Sequence, residues 1–167
     1  MDIFSYKLGK NSGGGSSLDE YMLKEIPTGG SSLSGIARTL IKVRSDAIVG
    51  SSMAYCFAYF QGEELPLLDT SNVTNMKNAF YSCNNLKTIP IYNTSKVTDL
   101  SATFNLSPKF TDESLDNILQ MCINATSYEG TKTLYQVGLR SSNYKATKIQ
   151  SLPHYQDFID AGWTIGY

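Results

Sequence analysis

The chain repeats itself, and few features constrain a fold more tightly than that. From Phe57 to Phe104 it reads FAYFQGEELPLLDTSNVTNMKNAF and then YSCNNLKTIPIYNTSKVTDLSATF. Leu65, Pro66, Leu67, Thr70, Ser71, Val73, Thr74, Met76 and Phe80 recur as Ile89, Pro90, Ile91, Thr94, Ser95, Val97, Thr98, Leu100 and Phe104, all at one constant offset. A fainter copy enters through Val49 and Met53 to Phe57, and its offset to the segment from Met76 to Phe80 is shorter by a single position. A fixed period in the low twenties with apolar residues at set offsets is the mark of a solenoid with one short strand per coil.

Within one repeat the residues divide the work. Leu65 and Leu67, like Ile89 and Ile91, have the spacing of a half-buried strand. The Asp-Thr-Ser-Asn segment at Asp69 and the Asn-Thr-Ser-Lys segment at Asn93 favour turns, because short polar side chains bond to nearby backbone. Val73, Met76 and Phe80, and then Val97, Leu100 and Phe104, return at spacings that suit a helical turn. No coil covers its own apolar side, so each is expected to stack on the next. The first coil has Phe60 where the second has Cys83 and Leu86, and it is about a residue shorter.

FYSCNNLKTIP, with LDTSNVTNM before it and NTSKVTDL after it, resembles the BspA-like class of leucine-rich repeat. It looks most like the short variety found in bacterial surface proteins and phage-encoded proteins, over roughly residues 45 to 110. The segments LDNILQMCINATSYEGTKTL and HYQDFIDAGWTIGY are similar to the close of phage-encoded members, and MDIFSYKLGKNSGGG resembles the start of phage virion proteins. The resemblance implies an α/β fold. A short leucine-rich-repeat solenoid of parallel strands, in coils of about 23–24 residues, would carry an α+β C-terminal cap and an extended N-terminal segment. It implies less about function, since such solenoids bind many things.

Composition narrows the function. Charged residues make up 17% and the formal net charge is −1. Lys and Arg are scattered, so the basic stripe of a nucleic-acid binder is missing. No run approaches the ~18 apolar residues of a membrane span. No basic stretch followed by an apolar run opens the chain, so no secretory signal is expected. That expectation suits a phage particle protein, released by lysis, better than an ordinary secreted adhesin. Cys56, Cys83 and Cys122 are odd in number and far apart, without a CxxC or a Cys/His cluster. Buried free thiols are expected rather than a zinc site or a disulfide framework.

Three parts follow. Residues 1–35 combine an apolar cluster (Ile3, Phe4, Tyr6, Leu8) with Gly/Ser-rich stretches at Gly13 and Gly29. They read either as a disordered tail or as an attachment segment inserting those four residues into another virion protein, with a short helix over Ser17–Lys24. The resemblance favours attachment. Residues 36–110 are the solenoid, entered by a strand at Leu40, Ile41 and Val43. Residues 111–167 are the cap. Thr111 or Asp112 caps a helix whose Leu115, Ile118, Leu119 and Cys122 share one face. Tyr135, Val137 and Leu139 alternate as a strand. A second helix is expected from Ser141 or Ser142 through Ala146 and Ile149. A third starts at Ser151-Leu-Pro-His, with Pro153 in its first turn and Gly162 just past its end. Trp163, Ile165 and Tyr167 alternate as a final strand.

No enzyme is indicated. His154 is the one histidine and no motif ties a nucleophile to it. Glu63-Glu64, Asp112-Glu113 and Asp157/Asp160 read as a turn, a helix start and a solvated face, without the separated acid and base of glycoside hydrolysis. The turns at Asp69 and Asp99 offer oxygens but no calcium loop, so neither metal nor cofactor is expected. Four Asn-x-Ser/Thr patterns, at Asn72, Asn93, Asn105 and Asn124, are read as accidents of composition. Binding remains. Tyr55, Tyr59, Tyr81 and Tyr92 offer flat amphipathic contact, and Asp69, Asn72, Asn93 and Lys96 line the repeat turns. A host-surface glycan or protein suits them as partner, with many copies on one particle adding avidity. The expected function is a non-enzymatic phage virion protein of tail, baseplate or head surface. The alternative is a bacterial cell-surface interaction module.

Overall fold

The computed structural model describes residues 22–26, 42–135 and 147–166. The attachment residues Ile3, Phe4, Tyr6 and Leu8 lie outside them, as do Leu40, Ile41, Val137, Leu139 and residues 141–146. Strand β1 (Met22–Ile26) pairs in parallel with β2 (Lys42–Val49). Leu23 faces Val43 but Glu25 faces Ile48, so β2 bulges between them. Met22–Lys24 are therefore strand, not the end of the helix expected over Ser17–Lys24. A helix that short is marginal alone, whereas a partner strand satisfies its backbone. On β2, Val43 and Ala47 are buried and Ile48 is exposed.

The leucine-rich-repeat solenoid is the main expectation that the structure overturns. Among the described residues the strands form two separate two-stranded sheets, β1–β2 and one near the C-terminus, both outside the repeats. Within the repeats only isolated parallel bridges occur, Ser52↔Asn75, Asn75↔Asp99 and Glu64↔Thr88. The Leu65–Leu67 and Ile89–Ile91 strands do not form. Leu65 and Ile89 are buried, but Leu67 is 65% and Ile91 38% exposed, and burial resumes at Leu68 and Tyr92. That is not a period of two.

The helical turns expected at Val73, Met76 and Phe80 and at Val97, Leu100 and Phe104 do not form either; non-helical turns stand at residues 54–59, 77–82 and 101–106. Each contains two left-handed residues at matching places. Tyr55, Asn78 and Ala102 have φ of 59°, 52° and 53°, and Tyr59, Ser82 and Leu106 have 67°, 56° and 60°. A residue in that region bends the chain out of any strand. The amides then divide by parity. Those of Met53, Tyr55, Phe57 and Tyr59 donate to the carbonyls of Asn75, Lys77, Ala79 and Tyr81 in the next turn, at 2.8–2.9 Å. Those of Met76, Asn78, Phe80 and Ser82 donate likewise to Asp99, Ser101, Thr103 and Asn105 at 2.8–3.0 Å. The alternate amides of Cys56, Ala58 and Phe60 donate back to Met53, Tyr55 and Phe57 within their own turn.

Inside, the rings of Phe57, Phe80 and Phe104 form a column, with centroids 5.8 and 5.5 Å apart and planes within 13°. Met53, Met76, Val73, Val97 and Leu86 fill the space around them, all buried. Each such ring contributes about 1.5–3 kcal/mol by burial, and the ring pairs add about 0.5–1.5 kcal/mol.

Helix α1 (Asp112–Asn124) closes this stack. The Thr111 side chain accepts from the Ser114 amide, Asp112 and Glu113 lie in the first turn, and Leu115, Ile118, Leu119, Met121 and Cys122 are buried. α1 docks through polar bonds as well. The Ile89 amide donates to Ser114 Oγ at 3.0 Å, and Asn117 Nδ2 donates to the Ile89 carbonyl at 2.9 Å. Beyond it, β3 (Thr133–Tyr135) pairs in parallel with β4 (Thr164–Gly166). A helical turn over residues 147–150 and helix α2 (Tyr155–Asp160) precede β4. Pro153 stands just before α2 rather than in it, and Gly162, at φ 86°, turns the chain into β4.

Candidate binding surface

The repeat turns carry most of the residues that the sequence singles out, and the structure shows what occupies each. At Asp69, Oδ1 accepts from the Ser71 amide at 3.0 Å. At Asn93, Oδ1 accepts from the Ser95 amide at 3.0 Å and from Ser95 Oγ at 2.8 Å. A second row follows the same rule, with Asn75 Oδ1 accepting from the Lys77 amide and Asp99 Oδ1 from the Ser101 amide. These side chains close their own turns, which is why Asp and Asn stand there. The bonds from Ser71 hold the Asp69 carboxyl below the usual carboxylate range.

Long side chains then link equivalent turns. Lys96 Nζ donates to Asn72 Oδ1 and Lys109 Nζ to Asn85 Oδ1, both at 3.1 Å and both from one repeat to the next. Lys87 pairs with Glu63 at 2.8 Å and holds the Glu63 carboxyl below its ordinary value. Asn72, Asn93, Asp69 and Lys96 are all exposed, so these rows form a presented surface.

The tyrosines separate. Tyr59 and Tyr81 meet edge to face, centroids 5.8 Å apart at 81°, and are half-buried, as is Tyr55. Tyr92 does not belong to the surface. It is fully buried, stacks on Phe80 at 5.7 Å, and its hydroxyl donates to the Pro66 carbonyl at 2.9 Å. It takes the core place that Leu68 holds one repeat earlier, and burial pushes its phenol up.

Burial also decides the thiols. It pushes Cys56 up to about 12, and Cys83 up to about 12 against the opposing bonds from backbone and Ser107. Cys122 is pushed up by burial as well. All three are thiols at neutral pH, neither nucleophiles nor ready metal ligands. Among the described residues no group of three or more His, Cys, Asp or Glu is placed to hold a metal ion. No helix among them is long and apolar enough to cross a membrane.

Sequence reasoning missed two features. Leu67 and Ile91 have strand spacing, yet they stand at matching places in the repeat as exposed apolar residues. Asp116, buried on α1, accepts from the His154 amide at 3.0 Å and from Gln120 Nε2 at 3.2 Å, and lies 2.7 Å from His154 Nδ1. That cluster ties α2 to α1. The long separation of Asp116 from His154 in the chain leaves no local signal for it.

No curated protein and no solved structure matches the chain. A family described as Mycoplasma protein of unknown function, DUF285, matches residues 51–146, a span that starts at the first turn and runs past α1 and β3. With more than half of its length matched, this chain belongs to the DUF285 family.

Proposed function

We propose that the protein acts by binding rather than catalysis, as a surface component of a phage virion presented to the host envelope. One observation carries the binding role. The repeat turns are rigidly tied to one another, yet they keep exposed polar and apolar residues in matched pairs: Leu67 with Ile91, Asp69 with Asn93, Asn72 with Lys96. Rigid, repeated, half-polar surface binds without the ordering cost a mobile loop incurs. The virion location rests on the sequence resemblance, with Ile3, Phe4, Tyr6 and Leu8 as the attachment residues and other virion proteins as their partners. A second reading, a bacterial surface interaction module, is favoured by the family description, which speaks of Mycoplasma proteins.

Immunogold electron microscopy with an antibody against residues 36–167 separates the two. Gold at one location on phage particles in lysates is the expected result. Gold on intact cells with bare particles would replace the virion reading with the cellular one.

A further inference from the structure

An open groove lies where the repeat runs out. One repeat earlier, Thr70 Oγ1 donates to the Asn93 carbonyl at 3.0 Å, so the turn at Asp69 stacks on the turn at Asn93. At the next step Thr94 Oγ1 donates instead to the Met121 carbonyl, near the end of α1, at 2.6 Å. A helix end has replaced a turn, and a groove of 660 Å³ opens between the two. That is within the ~300–1,000 Å³ of small-ligand sites.

Its walls have a distinct chemistry. None of the lining residues is charged. Ile91 on one side and Ile123 on the other supply apolar flanks, and Asn93, Ser95, Asn124 and Thr126 supply amides and hydroxyls. Asn93 Oδ1 is engaged in its own turn, which leaves its amide hydrogens to donate outward. Asn124 is exposed, and its amide presents a donor and an acceptor side by side. Vicinal hydroxyls match that pair, since each donates and accepts, and the C–H face of a sugar ring matches the isoleucines. A charged ligand would meet no counter-charge there. Lys96, the nearest cation in sequence, turns its ammonium to Asn72.

We propose that this groove binds a neutral sugar unit of an envelope glycan. The inference rests on the binding role proposed above and names its contact point. The full chain and three variants, Ile91→Asp, Asn124→Asp and Ile48→Asp, would be applied to an array of immobilised neutral and acidic oligosaccharides. All three positions are exposed, and far-UV circular dichroism checks that each variant folds. Wild type is expected to be retained on at least one neutral oligosaccharide. A carboxylate buried against the sugar without a partner should weaken retention by about tenfold or more in Ile91→Asp and Asn124→Asp. Ile48→Asp, an exposed apolar position on β2 outside both the repeat turns and the groove, should leave it unchanged. Retention of acidic oligosaccharides alone, equal retention of all four proteins, or no retention would overturn the inference. Envelope fragments provide the companion test. Binding to them that survives periodate but not protease would point to a protein ligand, leaving the binding role standing and the sugar site refuted. Absence of any binding to envelope would remove both.

Discussion

Residues 51–110 and residues 111–135 with 147–166 bury similar side chains by different rules. In the first region each turn is held by its counterpart in the next repeat, through amides of alternate residues and a column of phenylalanine rings. In the second, the elements are started and stopped by local signals. Thr111 starts α1, Gly162 ends the turn after α2, and Phe158 packs between Tyr155 and Trp163. The contrast teaches that a repeat can specify which residues meet without specifying strand or helix. Local signals specify the element and leave its neighbours open.

The contrast breaks or holds first at Phe80. Its ring touches Phe57, Tyr92 and Phe104, whereas Phe158, equally buried, meets Tyr155 and Trp163. Phe80→Ala and Phe158→Ala should each cost about 3–5 kcal/mol, with Phe80 at the upper end because it divides the column. Trp163 is the single tryptophan and belongs to the second region, so its fluorescence reports that region, while hydrogen exchange of the turn amides from Met53 to Tyr59 reports the first. In urea, Phe80→Ala should open those turn amides to exchange ahead of the fluorescence transition. Coincident transitions would make the two regions one cooperative unit.

Alkaline pH probes both regions at once. Cys56 in the first turn and Cys83 just past the second, both at about 12, and the raised Cys122 on α1 stay protonated in the folded chain. An unfolded thiol ionises at ~8.5. The folded state then binds more protons than the unfolded one, so stability is intact below that pH and falls as pH rises toward 12. Each thiol contributes about 1 kcal/mol per pH unit to the fall. Denaturation at several pH values should show a slope that Cys83→Ala and Cys122→Ala each flatten. An unchanged slope in either would mean that its thiol is open to solvent.

Legibility follows the same division. In the second region the Thr111 cap, the buried face of α1 and the strand at Ile165 can be read directly, because capping and helical spacing act within a few residues. In the first, the period is plain but the conformation is not. Leu65 and Leu67 have strand spacing, yet Leu67 faces solvent and Leu68 takes the buried place, and left-handed residues recur in each turn. Those residues are Tyr55, Tyr59, Asn78, Ser82, Ala102 and Leu106. No glycine marks them, and only Asn78 is of a type that favours the region. Of the surface residues, Asp69 and Asn93 are legible as turn formers. Tyr92 is not legible as core, since an amphipathic ring suits either side.

Those left-handed positions sharpen the comparison through two alanines. Ala102 has φ 53° in the third turn, and Ala161 caps α2 at φ −74°. A Cβ in the left-handed region costs about 1–2 kcal/mol, and glycine removes that cost while adding about 0.5–1 kcal/mol of unfolded-state freedom. Ala102→Gly should therefore stabilise by up to about 1 kcal/mol, whereas Ala161→Gly should destabilise by a similar amount. Opposite signs in thermal denaturation would support distinct backbone rules for the two regions. A loss at Ala102 would mean that its methyl group packs for more than the strain costs.

The smallest effect uses the repeat as its own control. Asp69 and Asn93 occupy the same place in successive repeats, and both close a turn by accepting the amide of the serine that follows, Ser71 or Ser95. Only Asp69 titrates. Its folded carboxyl lies below the ordinary range because of the Ser71 bonds, so its contribution is present above the unfolded value of ~4 and fades as pH falls through the folded one. Asp69→Asn keeps an acceptor oxygen where the bond needs it, as Asn93 already does. It should leave neutral stability nearly unchanged and make the acid side of the stability profile shallower below about pH 4. Asp69→Ala removes the acceptor and should lower stability at both pH values. If Asn lowers neutral stability as much as Ala does, then the charge, rather than the turn bond, holds this corner. The equivalence of the two repeats would then stop at their backbone.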